Sequence, residues 1–247
     1  MDKIIGRNPV LEAVRANRNF EKLVVQRNAA GSIQKILDEA RERDIQIRFE
    51  EKESLDRLAG GGNHQGVVAI VSEYKYCELE DIIDAAIASG EDPLILVLDG
   101  IEDPHNLGAI LRTAECAGVH GVIIPRRRSA GLGDTVAKVS SGAVEYVRVA
   151  QVTNITNTVK RLKELGVWVA ALDMEGESYF TKELTGGMAV VVGGEGKGIG
   201  RLVKENCDFT VSIPMSGHLA SLNASNAAAV VVYEIKRQRA ANIAFRG

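Results

Sequence analysis

The sequence predicts an α/β protein whose larger, C-terminal part is built on a mostly parallel sheet, with a smaller α/β unit in front of it. Two observations carry this. From Leu94 onward, short apolar runs alternate with helical patterns, the signature of strands buried on both faces and joined by crossover helices. Before that point an acidic stretch interrupts the pattern: residues 76–105 hold nine Asp/Glu and no Lys/Arg. The expected division is residues 1–72 as the small unit, 73–92 as an acidic linker and 93–247 as the main domain.

In the front unit, Asn8-Pro9 opens a helix, with Asn as a cap and Pro at the first helical position. Lys22–Gln26 reads as a strand. Ser32–Arg43 reads as an amphipathic helix with Ile33, Ile36, Leu37 and Ala40 on one face. Ile45–Phe49 alternates as a strand does, and Val67–Val71 follows a glycine-rich turn as a buried strand. A short helix is expected over Leu79–Ala88. In the main domain, strands are expected at 94–98, 121–124, 144–149, 167–172, 188–193 and 209–213. Helices are expected near 106–117, 154–165, 199–206 and 222–239. In such sheets ligands bind where the strands end, and the unusual loops of this chain fall there.

Composition narrows the function classes. Three cysteines lie far apart without a C-x-x-C pair, and four histidines are scattered, so neither a disulfide frame nor a metal site is read. No apolar run approaches the ~20 residues a bilayer requires, and no signal-peptide pattern opens the chain, which points to the cytoplasm. The net charge of −3 masks an uneven distribution: residues 106–247 carry 17 Lys/Arg against 12 Asp/Glu. The main domain is mildly basic, so a polyanionic partner stays open. The run Arg126-Arg127-Arg128, in a loop after a strand, is a small basic patch open to such a partner, though three arginines in a row are more often solvated.

Three loops carry the chemistry. Gly193-Gly-Glu-Gly-Lys-Gly-Ile-Gly200 follows a strand but fits neither G-x-G-x-x-G nor the P-loop pattern, which speaks against a dinucleotide or triphosphate site. Its glycines let backbone approach a ligand, and they equally suit a surface turn. In Glu102–Thr113, Asn106 stands at a helix start, where N-capping is the plain role. Arg112 shares a face with the small residues Gly108, Ala109 and Cys116, leaving its guanidinium room for a phosphate or a surface partner. Ile213-Pro-Met then leads to Ser221-Leu-Asn223 at the start of a long helix, where capping is again the plain reading.

Together these segments resemble the SpoU/TrmH family of RNA ribose 2′-O-methyltransferases, within the SPOUT superfamily of knotted proteins. Asn106-x-Gly108-x-Ile110-x-Arg112-Thr is similar to the family's first motif and Gly193-Gly-Glu195-x-x-Gly-Ile to the second. Ile213-Pro-Met-x-Gly with Ser221-Leu-Asn223 is similar to the third. At the front, Ile5-Gly-Arg-Asn-Pro-Val-Leu-Glu-Ala and Asn63-His-Gln-Gly66 resemble the substrate-binding domain of bacterial 23S rRNA guanosine methyltransferases. Gly131-Leu-Gly133 departs from the proline- and threonine-containing loop of the pattern.

The resemblance implies a trefoil-knotted SPOUT parallel-sheet domain preceded by a small α/β RNA-binding domain built like a ribosomal RNA-binding protein. It implies S-adenosylmethionine as cofactor, held by Gly193, Gly194, Ile213, Met215 and Leu222, and a homodimer formed through the C-terminal domain. It makes Asn106, Arg112, Glu195, Ser221 and Asn223 the catalytic set, with guanosine in 23S rRNA as the target. Arg7, Arg15, Arg18, Arg27, Arg126, Arg127 and Arg128 are then the candidate RNA contacts. With aromatic residues only 4% of the chain, recognition of RNA shape and phosphates fits better than base stacking. A tRNA substrate and a non-catalytic ribosome assembly factor are the alternatives. A nicotinamide-dependent dehydrogenase is a distant third, lacking the glycine fingerprint. Methyl transfer from a sulfonium requires aligned atoms and removal of one proton. Bringing an arginine from ~12.5 to ~7 to act as the base would cost roughly 7 kcal/mol. Clamping a phosphate is the easier role for Arg112, and the general base stays open.

Overall fold

The computed structural model describes residues 2–29 and 31–246, with side chains of the last helix followed as far as residue 241. The backbone forms two compact units, residues 1–75 with 131–146, and residues 76–130 with 147–247.

The first unit contains β1 (Asp2–Ile5), α1 (Arg7–Arg15), β2 (Phe20–Gln26), α2 (Ile33–Glu42), β3 (Ile47–Glu50), α3 (Lys52–Ala59) and β4 (Val67–Val71). Its sheet has the order β1-β4-β2-β3. β4 runs antiparallel to β1 and β2, and β3 runs parallel to β2. All five residues of β4 are buried because both faces of the sheet are covered. Val67, Ala69 and Val71 pack with Val10 and Ala13 of α1 and Ile33, Ile36 and Ala40 of α2. Val68 and Ile70 face Leu55 and Ala59 of α3. β1 and α3 escape the sequence reading, since β1 offers only two apolar residues to its neighbours and α3 only three.

The turn before β4 is fixed by polar groups. The Gly66 amide donates to His64 Nδ1 at 3.0 Å, so Nε2 carries the proton that reaches Asp56 Oδ1, also 3.0 Å away. Gln65 and Gly66 both take positive φ there.

The chain continues through α4 (Leu79–Ser89), β5 (Leu94–Asp99), α5 (Pro104–Cys116), β6 (Gly121–Pro125), α6 (Asp134–Val139), β7 (Val149–Val152), α7 (Ile155–Glu164), β8 (Trp168–Ser178), β9 (Met188–Gly193), α8 (Arg201–Asn206), β10 (Phe209–Ser212) and α9 (Ala224–Arg246). Six strands form one sheet, β10-β8-β9-β5-β6-β7, and every neighbouring pair is parallel. On one face Ile95, Val97, Val169, Ala171, Ala189 and Val191 pack with Ile82 and Ile83 of α4, Val159 and Leu162 of α7 and Val203 of α8. The alternate residues Leu94, Leu96, Leu98 and Val190 are fully buried on the other face, where α9 packs on α5 and β9. Covering both faces is why these strands read as unbroken apolar runs.

The acidic stretch is not a spacer. Cys77 bridges to Ala150 beside β7, and α4 buries Leu79, Ile82, Ile83 and Ala86 in the second unit while its carboxylates face water. A Cβ on Gly121 would meet Ile82 Cδ1 at 2.5 Å, so α4 lies on β6 at a distance only glycine permits.

The division also differs from the contiguous one expected. Residues 131–146, between β6 and β7, pack with the first unit, where α6 lies against β1. The strand expected at 144–149 is therefore a 3-10 turn over Ala143–Glu145, and β7 starts at Val149. Gly142, at φ +92, admits α1 so closely that a Cβ there would meet Glu12 Cβ at 2.5 Å.

A buried polar network fastens this segment, and it corrects the reading of Arg18 as an RNA contact. The Arg18 side chain is only 9% exposed; it pairs with Glu145 at 3.2 Å, donates to the Ser72 carbonyl at 2.6 Å and lies 3.5 Å over the Tyr74 ring. Tyr74 Oη donates to Glu145 at 2.9 Å. Burial, and then the Glu145 carboxylate, push the Tyr74 phenol far above its ordinary range, so it keeps the proton it donates. Glu145→Ala would leave a buried guanidinium unpaired and should lower the unfolding free energy by about 3–5 kcal/mol. Urea denaturation measures this, and a loss under ~1 kcal/mol would show that the network contributes little.

Candidate active site

All the unusual loops open at the carboxyl end of the six-stranded sheet, where two cavities lie side by side. The larger, ≈ 970 Å³, sits beyond β5, β6, β7 and β9, with Asp99, Asn106, Arg126–Arg128, Asn154, Glu195 and Lys197 in its wall. The smaller, ≈ 470 Å³, sits beyond β8, β9 and β10. Gly193, Gly194, Ile213, Met215 and Leu222 all line the smaller one, together with Ser221, Asn223 and Glu195. Gly194, Glu195 and Gly198 belong to both walls, so one turn of backbone separates the two spaces.

That turn is compact because its glycines let main chain meet main chain. The Gly194 amide donates to the Asp99 carbonyl at 2.9 Å, and a Cβ on Gly194 would collide with the Gly100 carbonyl. A Cβ on Gly193 would collide with the Gly198–Ile199 peptide. Gly196 and Gly198 take positive φ, closing the loop. At its far end the Gly200 amide donates to Asp99 Oδ2 at 2.7 Å. Asp99 is a site residue that sequence reasoning missed; its signal is a lone carboxylate ending an apolar strand.

Asn106, Glu195 and Asn223 form a closed hydrogen-bonded ring. The Asn106 amide donates to Glu195 Oε1 at 3.0 Å. The Asn223 amide donates to the same oxygen and to Asn106 Oδ1, both at 2.9 Å. Asn106 is 6% exposed and does not cap its helix, because Asp103 does so by accepting from the His105 amide at 2.9 Å. Its side chain is thereby released for the ring. Asn223 does both jobs: its Oδ1 accepts from the Ser225 amide at 2.9 Å and caps α9, while its amide serves the ring. Ser221 is exposed on the wall of the smaller cavity.

β8 adds a wall that the sequence did not reveal. It pairs with β10 in two registers, Ala170 and Ala171 first and then Glu177 and Ser178, and the residues between them bow out. Leu172, Asp173 and Met174 of that bow line the smaller cavity. Gly176 closes it, since a Cβ there would meet the Val211 carbonyl carbon at 2.5 Å.

The remaining candidates are dispersed. Arg112 is exposed on α5 beyond Asn106 and is not among the residues lining either cavity. Arg126, Arg127 and Arg128 are exposed at the larger cavity. In the first unit Arg7 holds the turn before β4, donating to the Gln65 carbonyl at 2.9 Å and to Ser32 Oγ at 3.1 Å. Arg15 is paired with Glu12 and Glu39, each at 3.0 Å. Arg27 is well exposed and meets Glu51 at 3.3 Å. Among the described residues no group of three or more His, Cys, Asp or Glu could hold a metal ion, and no helix is long and apolar enough to cross a membrane.

A parallel α/β domain with two adjoining ligand cavities at the strand ends defines the class. The family follows from comparison with known proteins. Residues 93–233 match the SpoU rRNA methylase family, and residues 3–77 match the substrate-binding domain of RNA 2′-O ribose methyltransferases. The chain belongs to the SpoU/TrmH family of methyltransferases. It is 46% identical over 241 residues to YacO of Bacillus subtilis, assigned to the TrmH family of tRNA/rRNA methyltransferases, with 96% of each chain covered. The SpoU methyltransferase AviRb of Streptomyces viridochromogenes, crystallised with AdoMet, superposes with a TM-score of 0.81 at 26% identity, covering 96% of this chain and 89% of that one. A TrmH/SpoU tRNA-modifying enzyme of A. aeolicus gives 0.57 at 27% identity, covering 62% and 78%.

Proposed function

We propose that the protein transfers a methyl group from S-adenosylmethionine to the ribose 2′-oxygen of a guanosine in 23S rRNA. The observation that carries this reading is the Glu195 ring standing between two cavities of different character. The smaller has the volume of a small-molecule site, a backbone cradle at Gly193 and Gly194, and apolar walls from Ile213, Met215 and Leu222. These residues fit the cofactor. The larger holds every Lys and Arg found in either wall, Arg126, Arg127, Arg128 and Lys197, beside four carboxylates, and these cations supply the phosphate contacts.

When bound, the cofactor supplies an electrophilic methyl on a sulfonium. The chain's own residues do the rest. Asn106 and Asn223 fix the Glu195 carboxylate with two amide hydrogens, and with it the wall that sets the approach of one ligand to the other. Ser221 faces the cofactor side. Asp99 holds both ends of the glycine turn in place. Arg112, exposed on α5 outside both cavities, grips a phosphate of the RNA and so orients the ribose. Arg126–Arg128 and Arg27 supply further phosphate contacts.

Two observations support rRNA: residues 93–233 match the SpoU rRNA methylase family, and the tRNA-modifying neighbour matches only 62% of the chain. We read the contact of the glycine turn with the β5 exit, and the return of α9 over β9 and α5, as parts of a trefoil knot. We also read the active form as a homodimer through the second unit; light scattering should give twice the mass of one chain, and a monomer at micromolar concentration would overturn this.

Incubation with labelled S-adenosylmethionine should place label on a guanosine 2′-oxygen of unmodified 23S rRNA. Label in tRNA alone would keep the chemistry and replace the substrate, and no label in RNA or ribosomal particles would favour an assembly factor. Arg112→Ala should lower turnover by about 10³-fold or more, as loss of a substrate-orienting contact does, while cofactor affinity stays within about twofold. Loss of cofactor binding by the folded variant would remove Arg112 from the RNA side.

A further inference from the structure

The wall of the smaller cavity contains two carboxylates, Asp173 and Glu195, and no Lys or Arg. Glu195 belongs to the hydrogen-bonded ring. Asp173 lies outside the motifs and projects from the bow that β8 makes between its two registers with β10. Its Oδ1 is held by the Glu175 amide at 3.1 Å and by Lys204 Nζ of α8 at 3.0 Å, while Lys204 also binds Glu175 at 2.7 Å. The side chain is 23% exposed, so it is neither surrendered to solvent nor sealed in the core. Partial burial pushes its carboxyl up, but the Glu175 amide and Lys204 outweigh that and hold it below the usual aspartate range. Asp173 is thus ionised at neutral pH with one oxygen tied to the fold.

The two ligands that this cavity must distinguish differ mainly in charge. S-adenosylmethionine has a sulfonium and is a net cation. S-adenosylhomocysteine, the product, is a thioether with no net charge and nearly the same shape. Apolar walls and backbone hydrogen bonds serve both alike. A fixed negative charge in the wall of a partly enclosed cavity favours the cation.

We propose that Asp173, steadied by Lys204, makes the cofactor cavity selective for charge, favouring the sulfonium donor over the neutral product and so assisting product release. Asp173 is a specificity-determining residue here. This rests on assigning the smaller cavity to the cofactor. The bow in β8 exists, on this view, to carry a carboxylate to a wall that the parallel strands alone would leave apolar.

Calorimetric titration of both ligands into wild type and three variants tests it. Asp173→Asn keeps the shape and leaves Lys204 its Glu175 partner; it should weaken S-adenosylmethionine roughly tenfold and S-adenosylhomocysteine less than about twofold. Lys204→Met removes the opposing cation and should move the ratio of the two affinities the other way. Equal losses for both ligands in Asp173→Asn would mean that Asp173 only holds the wall, and an unchanged ratio would equally overturn the proposal. Ala227→Trp, which fills the cavity from α9, separates the two failures. If it abolishes both titrations while Asp173→Asn leaves the ratio unchanged, the cavity assignment stands and charge selection falls. If both ligands bind Ala227→Trp as tightly as wild type, the assignment falls and charge selection with it.

Discussion

One carboxylate oxygen joins the parts of this site. Glu195 Oε1 takes a hydrogen from Asn106, 89 residues earlier, and another from Asn223, 28 residues later. Hydrogen bonds to a charged acceptor are worth about 1.5–3 kcal/mol each, more than neutral ones. They are possible only because the glycine turn lies directly on the exit of β5, where any side chain at Gly194 would force the loops apart. The six parallel strands deliver all these exits to one end of the sheet, and the glycines then let them touch. Fold and site are in this sense one constraint: a sheet that ends together, with backbones narrow enough to meet.

That arrangement produces two spaces with a shared wall, and the shared wall matters more than either space. A reaction between two bound molecules needs them held apart by little and at a fixed angle. A turn fastened by Asp99 at both ends and by two asparagines at its middle is stiff in the required sense. The helices contribute through their ends. α5 is capped by Asp103, which leaves Asn106 free, while α9 is capped by Asn223, which turns its amide back toward Glu195.

Much of this was legible in sequence, for reasons that can be named. The strands of the second unit are buried on both faces, so they appear as uninterrupted apolar runs, and five of the six lie within a few residues of their expected places. The motif residues lie at loop exits where glycine, proline and asparagine stand out, and the five cofactor candidates do line one cavity. What escaped was long-range or isolated. Nothing local says that residues 131–146 pack with the first unit; their apolar residues suit a strand equally well. Arg18 looks like any surface arginine until Glu145, 127 residues away, is placed beside it. Asp99 ends an apolar strand and Asp173 lies within β8, neither with a spacing to mark it, and the bow in β8 follows from a register shift that no periodicity records.

The interrupted first unit also bears on how the chain is made. A ribosome that has released residues 1–75 has produced the sheet of that unit but not α6, the turn at Ala143 or the carboxylate that neutralises Arg18. The missing piece emerges about 70 residues later, a delay of several seconds at synthesis rates of ~5–20 residues per second. During that interval β5, α5 and β6 of the other unit come out first. The front unit therefore begins folding earliest yet is completed only after its neighbour has started. The two halves of the molecule are coupled in time by the order of the sequence.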